Sequence, residues 1–212
     1  MKLGIFDSGI GGEAVALSLK REFPHAEILT VNDKKHVPYG SRTAQQIISL
    51  TDYAIQPLLD ELCDVIIIAC NSATTAAIET LRQRYPHQKF IGIEPMIKSA
   101  SMKSKTSIIA VCATPATLAS ERYAKLLDRY ARDIIVIEPD CSTWAAMIES
   151  NQINTLDIQR TITNICNKNA DVIVLGCTHY HWIKTEIEKY ASGRAAIIEP
   201  SDAIARRVRA LL

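Results

Sequence analysis

Two similar α/β halves, each built on a parallel sheet, are the fold class that this 212-residue sequence predicts. The first observation is the stretch Asp64–Thr75, DVIIIACNSATT, where Val65–Ala69 form a continuous apolar run rich in β-branched residues. Such a run is too short for a membrane span and reads as a strand buried on both faces. The second is its echo, DVIVLGCTHYHW at 171–182, which sets Cys177 opposite Cys70 at an offset of 107 residues. The third is that the same offset lays Leu3–Ser8 on Ala110–Pro115 and Ile28–Asp33 on Ile135–Asp140. Strand-like segments recurring at one spacing, each ending in polar residues, indicate an internal duplication. If the halves face each other across a pseudo-twofold axis, the two thiols flank one cleft.

In chain order, Lys2–Phe6 is a short strand and DSGIGG (Asp7–Gly12) the turn after it, opening a helix from Glu13 to Phe23. Glycines there let the backbone approach a ligand, and the helix start offers free N–H groups. Glu27–Val31 is the next strand, followed by a loop through Asn32–Arg42 that contains Pro38-Tyr39-Gly40. A helical pattern runs from Thr43 to Leu62 with Ile47, Leu50, Ala54, Leu58 and Leu62 on one face; Pro57 predicts a break near Gln56. The Cys70 strand and a helix to Arg84 come next, then a strand at Lys89–Ile93. The polar segment Ser99–Lys105 reads as the hinge side of a domain boundary.

The second half repeats the plan. Ser107–Ala113 is a strand, ATPAT (Ala113–Thr117) leads to a helix ending near Tyr130, Asp133–Ile137 is a strand, and Cys141–Ser150 begins a helix. Leu156–Lys168 is amphipathic, with Ile158, Ile162 and Ile165 in one stripe. The Cys177 strand, a helix through Tyr190 and a strand at Ala195–Ile198 complete this half. The last helix starts with Ser201 and Asp202 as cap and first-turn charge.

Composition bounds the function. With 48% hydrophobic residues the chain can bury a core in each half, and a net charge of +1 gives no bulk case for nucleic acid or an anionic membrane. No apolar run reaches membrane length, and Met1–Phe6 flows directly into a strand, so no signal peptide is expected and the compartment reads as cytoplasmic. The six cysteines are then thiols. Their spacing suits no metal, and no lysine stands in a Schiff-base context; we expect no cofactor.

Cys63, Cys112 and Cys166 read as small core residues. Cys70 and Cys177 differ, because each ends a matched strand, is followed at once by hydrogen-bonding residues, and precedes a helix start. That environment lowers a thiol pKa from its free value of about 8.5. Two thiols on opposite walls of one pocket suit racemisation: one removes a proton from carbon and the other returns one to the opposite face. Asp7 beside Cys70, and His179 with Glu149 beside Cys177, are placed to hold or move those protons.

The motifs DSGIGG, PYG, ACNSATT, GIEPMIK, ATPAT and LGCTHY, in this order over essentially the whole chain, resemble the glutamate racemases of the aspartate/glutamate racemase superfamily. The resemblance implies two flavodoxin-like domains, here 1–94 with 199–212 and 95–198. It also implies interconversion of L- and D-glutamate for peptidoglycan by the two-thiol route. By position, Cys70 resembles the base acting on D-glutamate and Cys177 the base acting on L-glutamate, with Asp33, Glu149 and His179 at the assisting positions. Asp7 and Ser8 would meet the substrate ammonium, and Asn71, Ser72, Thr114 and Thr117 the α-carboxylate. The Pro38-Tyr39-Gly40 segment, by its Tyr39 and Gly40 backbone, would hold the side-chain carboxylate with Thr178, near His179. A racemase for aspartate or another small amino acid, or a non-catalytic binding relative, is the rival reading.

The chain departs from the family pattern at Lys34-Lys35, Ser72-Ala73, Ser142 and His181. Relatives also add a strand and a helix beyond the position of Leu212. The last helix, with Arg206, Arg207 and Arg209 on one face and Val208, Leu211 and Leu212 on the other, therefore suggests a homodimer with the first domain near the interface.

Overall fold

The computed structural model describes all residues from Met1 to Leu212. The chain divides into two compact units, Met1–Glu94 with Pro200–Leu212, and Pro95–Glu199. The first unit contains β1 (Lys2–Asp7), α1 (Gly11–Glu22), β2 (Glu27–Asn32), a 3₁₀ turn at Tyr39–Ser41, α2 (Ala44–Ala54), α3 (Gln56–Asp60), β3 (Val65–Ile68), α4 (Asn71–Arg84) and β4 (Phe90–Gly92). The second contains α5 (Ile97–Lys103), β5 (Ile108–Ala113), α6 (Pro115–Leu118), α7 (Glu121–Tyr130), β6 (Ile135–Ile137), α8 (Trp144–Glu149) and α9 (Thr155–Asn167). It continues with β7 (Val172–Gly176), a 3₁₀ turn at Thr178–Ile183, α10 (Lys184–Ala191) and β8 (Ala196–Ile198). The last helix, α11 (Ser201–Leu211), returns to the first unit.

Each unit has one four-stranded, all-parallel sheet. The strand orders are β2-β1-β3-β4 and β6-β5-β7-β8, the same topology twice. All four residues of β3 and all five of β7 are buried, as helices on both faces of a parallel sheet require. The fold class read from the apolar runs is therefore observed.

The single offset of 107 needs correction. Leu3 pairs with Val65 and Ile109 with Val172, so β1 matches β5 one residue earlier than that offset. Leu3 pairs with Ile28 and Ile109 with Val136, so β2 matches β6 one residue later. The β1–β2 connection is two residues shorter than the β5–β6 one, and the β2–β3 connection one residue longer than the β6–β7 one, so a constant spacing cannot follow them. Register is set by which side chains are buried, since a one-residue slip turns every side chain to the other face. The structural counterpart of Ser8 is thus Thr114.

Other elements also moved. The Thr43–Leu62 pattern breaks at Ile55, as Pro57 in the first turn of α3 demands, but it stops at Asp60. Leu62 is 83% exposed in a left-handed conformation (φ 51°) instead of extending the apolar stripe. Ser99–Lys103 belongs to α5 and is not a free hinge. At α11 the cap position is Pro200, with no side-chain cap, and Ser201 is the first helical residue. The apolar face of α11 is absorbed by its own unit. Ile204, Ala205 and Val208 join a core with Leu3, Ile5, Val15, Leu19, Val65, Ile67 and Ile91, and Leu211 packs on its edge. Burying side chains of Ile or Val size stabilises by about 1.5–3 kcal/mol each; of that face, Leu212 stays 55% exposed. No helix is long and apolar enough to cross a membrane.

The duplicated aspartates before β3 and β7 are structural. Asp64 accepts the Lys2 N–H at 2.7 Å, tying the start of β1 to the start of β3. Asp171 does the same for the chain entering β5, accepting from Ser104 Oγ (2.5 Å) and the Lys105 and Thr106 N–H groups (2.6 and 3.1 Å). Partial burial alone would raise its pKa, but these donors outweigh it and hold the carboxyl below the usual value. Asp171→Ala should cost about 1–2 kcal/mol at pH 7, allowing for the water around the carboxylate. Because the folded-state pKa is depressed, this stability is present above the unfolded-state value of about 3.9 and lost as pH falls through the folded one. Urea unfolding at pH 7 should therefore separate variant from wild type, and the gap should narrow as pH falls below the unfolded-state value of about 3.9.

Candidate functional site

The order β2-β1-β3-β4 makes the connections leaving β1 and β3 diverge, so a crevice opens outside the carboxyl ends of these two strands. The residues that emerge there are Asp7 and Ser8 after β1 and Cys70 after β3. All three are buried. Ser8 Oγ lies 3.2 Å from Cys70 Sγ, a hydrogen bond in which either atom can donate. Ser8 is thus a hydroxyl partner of the thiol, a contact that the sequence pattern did not indicate. Asp7 folds back on the turn, accepting the Gly9 N–H at 2.9 Å.

Cys70 occupies the cap position of the 14-residue helix α4, without a side-chain cap. The N–H groups of the first turn have no intrahelical acceptor and carry the positive end of the helix dipole, beside the sulfur. Thr74 locks this corner: its hydroxyl donates to the Ile68 carbonyl (2.9 Å) and accepts the Ile93 N–H (3.0 Å). Asn71 Nδ2 donates to the Ile93 carbonyl at 3.2 Å. Part of the Asn71 amide is therefore committed to the fold.

Gly12 explains the close packing of the first turn. A Cβ there would stand 2.6 Å from Asp7 Cβ and 3.0 Å from Asn32 Oδ1. The glycine lets α1 approach β1, where the sequence suggested approach of a ligand. Asp33, just beyond β2, accepts from Tyr39 Oη (2.7 Å) and lies 2.8 and 2.9 Å from His36 Nδ1. Tyr39 is buried with its ring against Phe6, centroids 6.2 Å apart. Burial and the bond to Asp33 push its phenol well above the ordinary value, and a charge on Cys70 pushes the same way. Tyr39 therefore keeps its proton and stays a hydrogen-bond donor to Asp33 at any working pH.

The second unit repeats the arrangement with different partners. β5 and β7 are the neighbours at its switch point. Thr114 follows β5 and caps α6, its hydroxyl donating to Thr117 Oγ1 at 3.1 Å and accepting the Thr117 N–H at 3.4 Å. Thr114, Thr117, Cys177, Thr178 and His179 are all buried. Cys177 follows β7 but is succeeded by a 3₁₀ turn, not by an α-helix as the sequence suggested. The aromatic cluster behind the turn accounts for this: Trp144 meets Tyr180 edge-on at 5.2 Å, and Tyr180 Oη donates to the Cys141 carbonyl at 2.9 Å. Trp144 Nε1 donates in turn to Asp157 at 2.8 Å.

That cluster seats α8 on the turn and brings Glu149, at the end of α8, to His179. Glu149 Oε1 lies 2.5 Å from His179 Nε2, and His179 Nδ1 lies 3.7 Å from Cys177 Sγ. A carboxylate only accepts, so Nε2 carries the hydrogen and a neutral ring presents Nδ1 to the thiol as an acceptor. Sulfur, imidazole and carboxylate form a chain along which a proton can be held. The remaining thiols are set apart. Burial pushes the Cys63 and Cys166 thiols up, and a hydrogen bond with Cys112, together with burial, pushes Cys141 far up.

The profile of the Asp/Glu/hydantoin racemase family matches residues 13–208. This chain belongs to that family. Its relatives include a glutamate racemase of Sulfurovum sp. (strain NBC37-1), 41% identical over 218 aligned residues covering 100% of this chain and 82% of the relative. Among solved structures, the glutamate racemase isoform RacE1 of Bacillus anthracis is similar at a TM-score of 0.86 and 27% identity, covering 99% of this chain and 80% of that one. The glutamate racemase of Francisella tularensis, solved with D-glutamate, is similar at a TM-score of 0.84 and 28% identity, covering 100% and 80%.

For a racemase-family chain, the fit of α1 against β1 is a sensitive feature, since it sets Asp7 beside the Cys70 corner. Gly12→Ala should force α1 or Asp7 to shift and should lower stability by about 1–3 kcal/mol, read as a drop in thermal midpoint.

Proposed function

We propose that this protein interconverts L- and D-glutamate without a cofactor, with Cys70 and Cys177 as the two bases. The observation that carries the reading is the duplication itself. Each unit presents one buried thiol at the same topological place, beside the switch point of its sheet, and each thiol has its own polar partner. Family membership and the names of the relatives support glutamate as the substrate. The same resemblance supports supply of D-glutamate for peptidoglycan.

Racemisation requires the two sulfurs to address opposite faces of one carbon. From one enantiomer the Cys70 thiolate takes the Cα proton, the C–H electron pair stays on carbon, and the Cys177 thiol delivers its proton to the other face. Cys70 ends as a thiol and Cys177 as a thiolate, so the opposite enantiomer is the substrate for the reverse step. His179 and Glu149 then hold or return a proton at Cys177, while Ser8 hydrogen-bonds the thiol or thiolate of Cys70. A positioned base contributes about 10²–10⁴-fold. The larger share must come from donors around the substrate carboxylate and from exclusion of water.

Asp7 and Ser8 are assigned to the ammonium; Asn71, Ser72, Thr114 and Thr117 to the α-carboxylate; and the Tyr39-Gly40 backbone with Thr178 to the side-chain carboxylate. For Asn71 the first-turn N–H of α4 is the donor we favour, since Nδ2 is bonded to Ile93. Asp33 assists from behind Tyr39.

Circular dichroism of the purified protein with each enantiomer of glutamate, and then of aspartate, tests the assignment. Wild type should racemise glutamate in both directions and exchange its Cα hydrogen in D₂O. Cys70→Ala and Cys177→Ala should each lose at least 10²-fold in rate while keeping the native far-ultraviolet spectrum. A single variant within about tenfold of wild type would exclude two-thiol catalysis, and turnover of aspartate alone would reassign the substrate. Glu149→Gln keeps a hydrogen-bonding side chain but removes its charge. It should slow the direction in which Cys177 is the base more than the other, visible as an unequal loss of kcat from L- and D-glutamate at saturating substrate, with KM moving in proportion because the two enantiomers are equal in free energy.

A further inference from the structure

Asp33 is the anchor of the loop between β2 and α2, and the group that holds it is His36. Nδ1 of His36 reaches both carboxylate oxygens, at 2.8 and 2.9 Å, and the Tyr39 hydroxyl donates to Oδ2 at 2.7 Å. Since the carboxylate can only accept, Nδ1 must carry a hydrogen in either charge state of the ring. The backbone is tied in as well. The Asp33 N–H donates to the Asp7 carbonyl (3.0 Å), the His36 N–H to the Asp33 carbonyl (3.1 Å), and the Arg42 guanidinium to the His36 carbonyl through two N–H groups (2.8 and 2.6 Å). Asp33, His36, Tyr39 and Arg42 thus close one hydrogen-bonded loop around Tyr39-Gly40.

We propose that His36 is a positioning residue for substrate affinity: by donating from Nδ1 to Asp33 it fixes the Tyr39 phenol, and with it the Tyr39-Gly40 backbone that receives the side-chain carboxylate. This rests on the function proposed above and extends it to a residue outside the assisting set. His36 acts through Asp33 and Tyr39. Its side chain is 32% exposed against 12% for Asp33, so it stands on the outer side of the cluster. It borders a cavity of about 470 Å³ lined also by Asn32, Asp33, Lys35, Tyr53 and Asp60. Truncating the ring therefore enlarges an existing open space and leaves no void in the core, so the alanine variant should fold.

The contact is made equally in ground and transition states, so its loss should appear in KM with kcat preserved. His36→Ala should raise KM for glutamate about tenfold, the effect of one hydrogen bond to a charged group, with kcat within about threefold. His36→Asn keeps a donor at the Nδ1 position and has no ionisable ring, and it should return KM to within about threefold of wild type. Amide hydrogen exchange over residues 36–42, measured without substrate, reads the same claim independently of turnover. It should quicken about tenfold in His36→Ala and recover in His36→Asn. An unchanged KM and unchanged exchange in His36→Ala would overturn the proposal. So would a fall in kcat at constant KM, or an asparagine variant as impaired as the alanine one. A wild-type protein that turns over no glutamate refutes the proposed function, while the exchange data still decide the role of His36.

Discussion

The parallel pairing of β1 with β3, and of β5 with β7, is the constraint from which the chemistry of this protein descends. In a 2-1-3-4 sheet those neighbours are where the chain changes direction across the sheet. Loops leaving their carboxyl ends diverge and expose a crevice. The pairs are held by buried β-branched side chains on both faces, so the strand ends are rigid. A thiol placed immediately after such a strand inherits that rigidity. Its neighbours come from the adjacent strand end: Ser8 for Cys70 in one unit, and Thr114 near the Cys177 corner by the equivalent register in the other.

Around this shared frame the two corners have diverged. Cys70 leans on a helix start and a serine hydroxyl, whereas Cys177 leans on a histidine oriented by a carboxylate. The difference follows from what comes after each strand. α4 begins at once and is locked by Thr74, but the Trp144–Tyr180 cluster diverts the chain after Cys177 into a 3₁₀ turn. That diversion is what allows α8 to deliver Glu149 to His179. The two thiols thus sit in unlike polar surroundings at equivalent places of the two sheets.

Away from the thiols themselves, two carboxylates close polar networks on short stretches of chain. Asp33 gathers His36 and Tyr39 beyond the carboxyl end of β2, and Asp171 gathers the chain entering β5 at the amino end of the second sheet. In each, a carboxylate accepts from two or three donors on a short stretch of chain. It thereby fixes backbone that would otherwise be mobile, because an unmet acceptor in a half-buried place is costly.

The sequence by itself determined the fold class, the duplication and the two cysteines. Short apolar runs rich in β-branched residues, such as VIII and VIVLG, read as double-sided strands, and a repeated run ending in the same residue type needs no contact information to be seen. Helix breaks with a local cause, such as that at Pro57, were equally legible. Tertiary structure alone decided which groups touch the thiols. The one-residue slips at β1 and β2, the Ser8–Cys70 contact, the commitment of Asn71 Nδ2 to Ile93, the diversion after Cys177 and the grip of His36 on Asp33 all depend on loop lengths and on packing between residues distant in sequence. So does the fate of α11, whose apolar face is satisfied by β1, β3 and α1 within its own unit. Burial and hydrogen-bond satisfaction settle those choices only once the strands are side by side, and no periodicity in the chain encodes them.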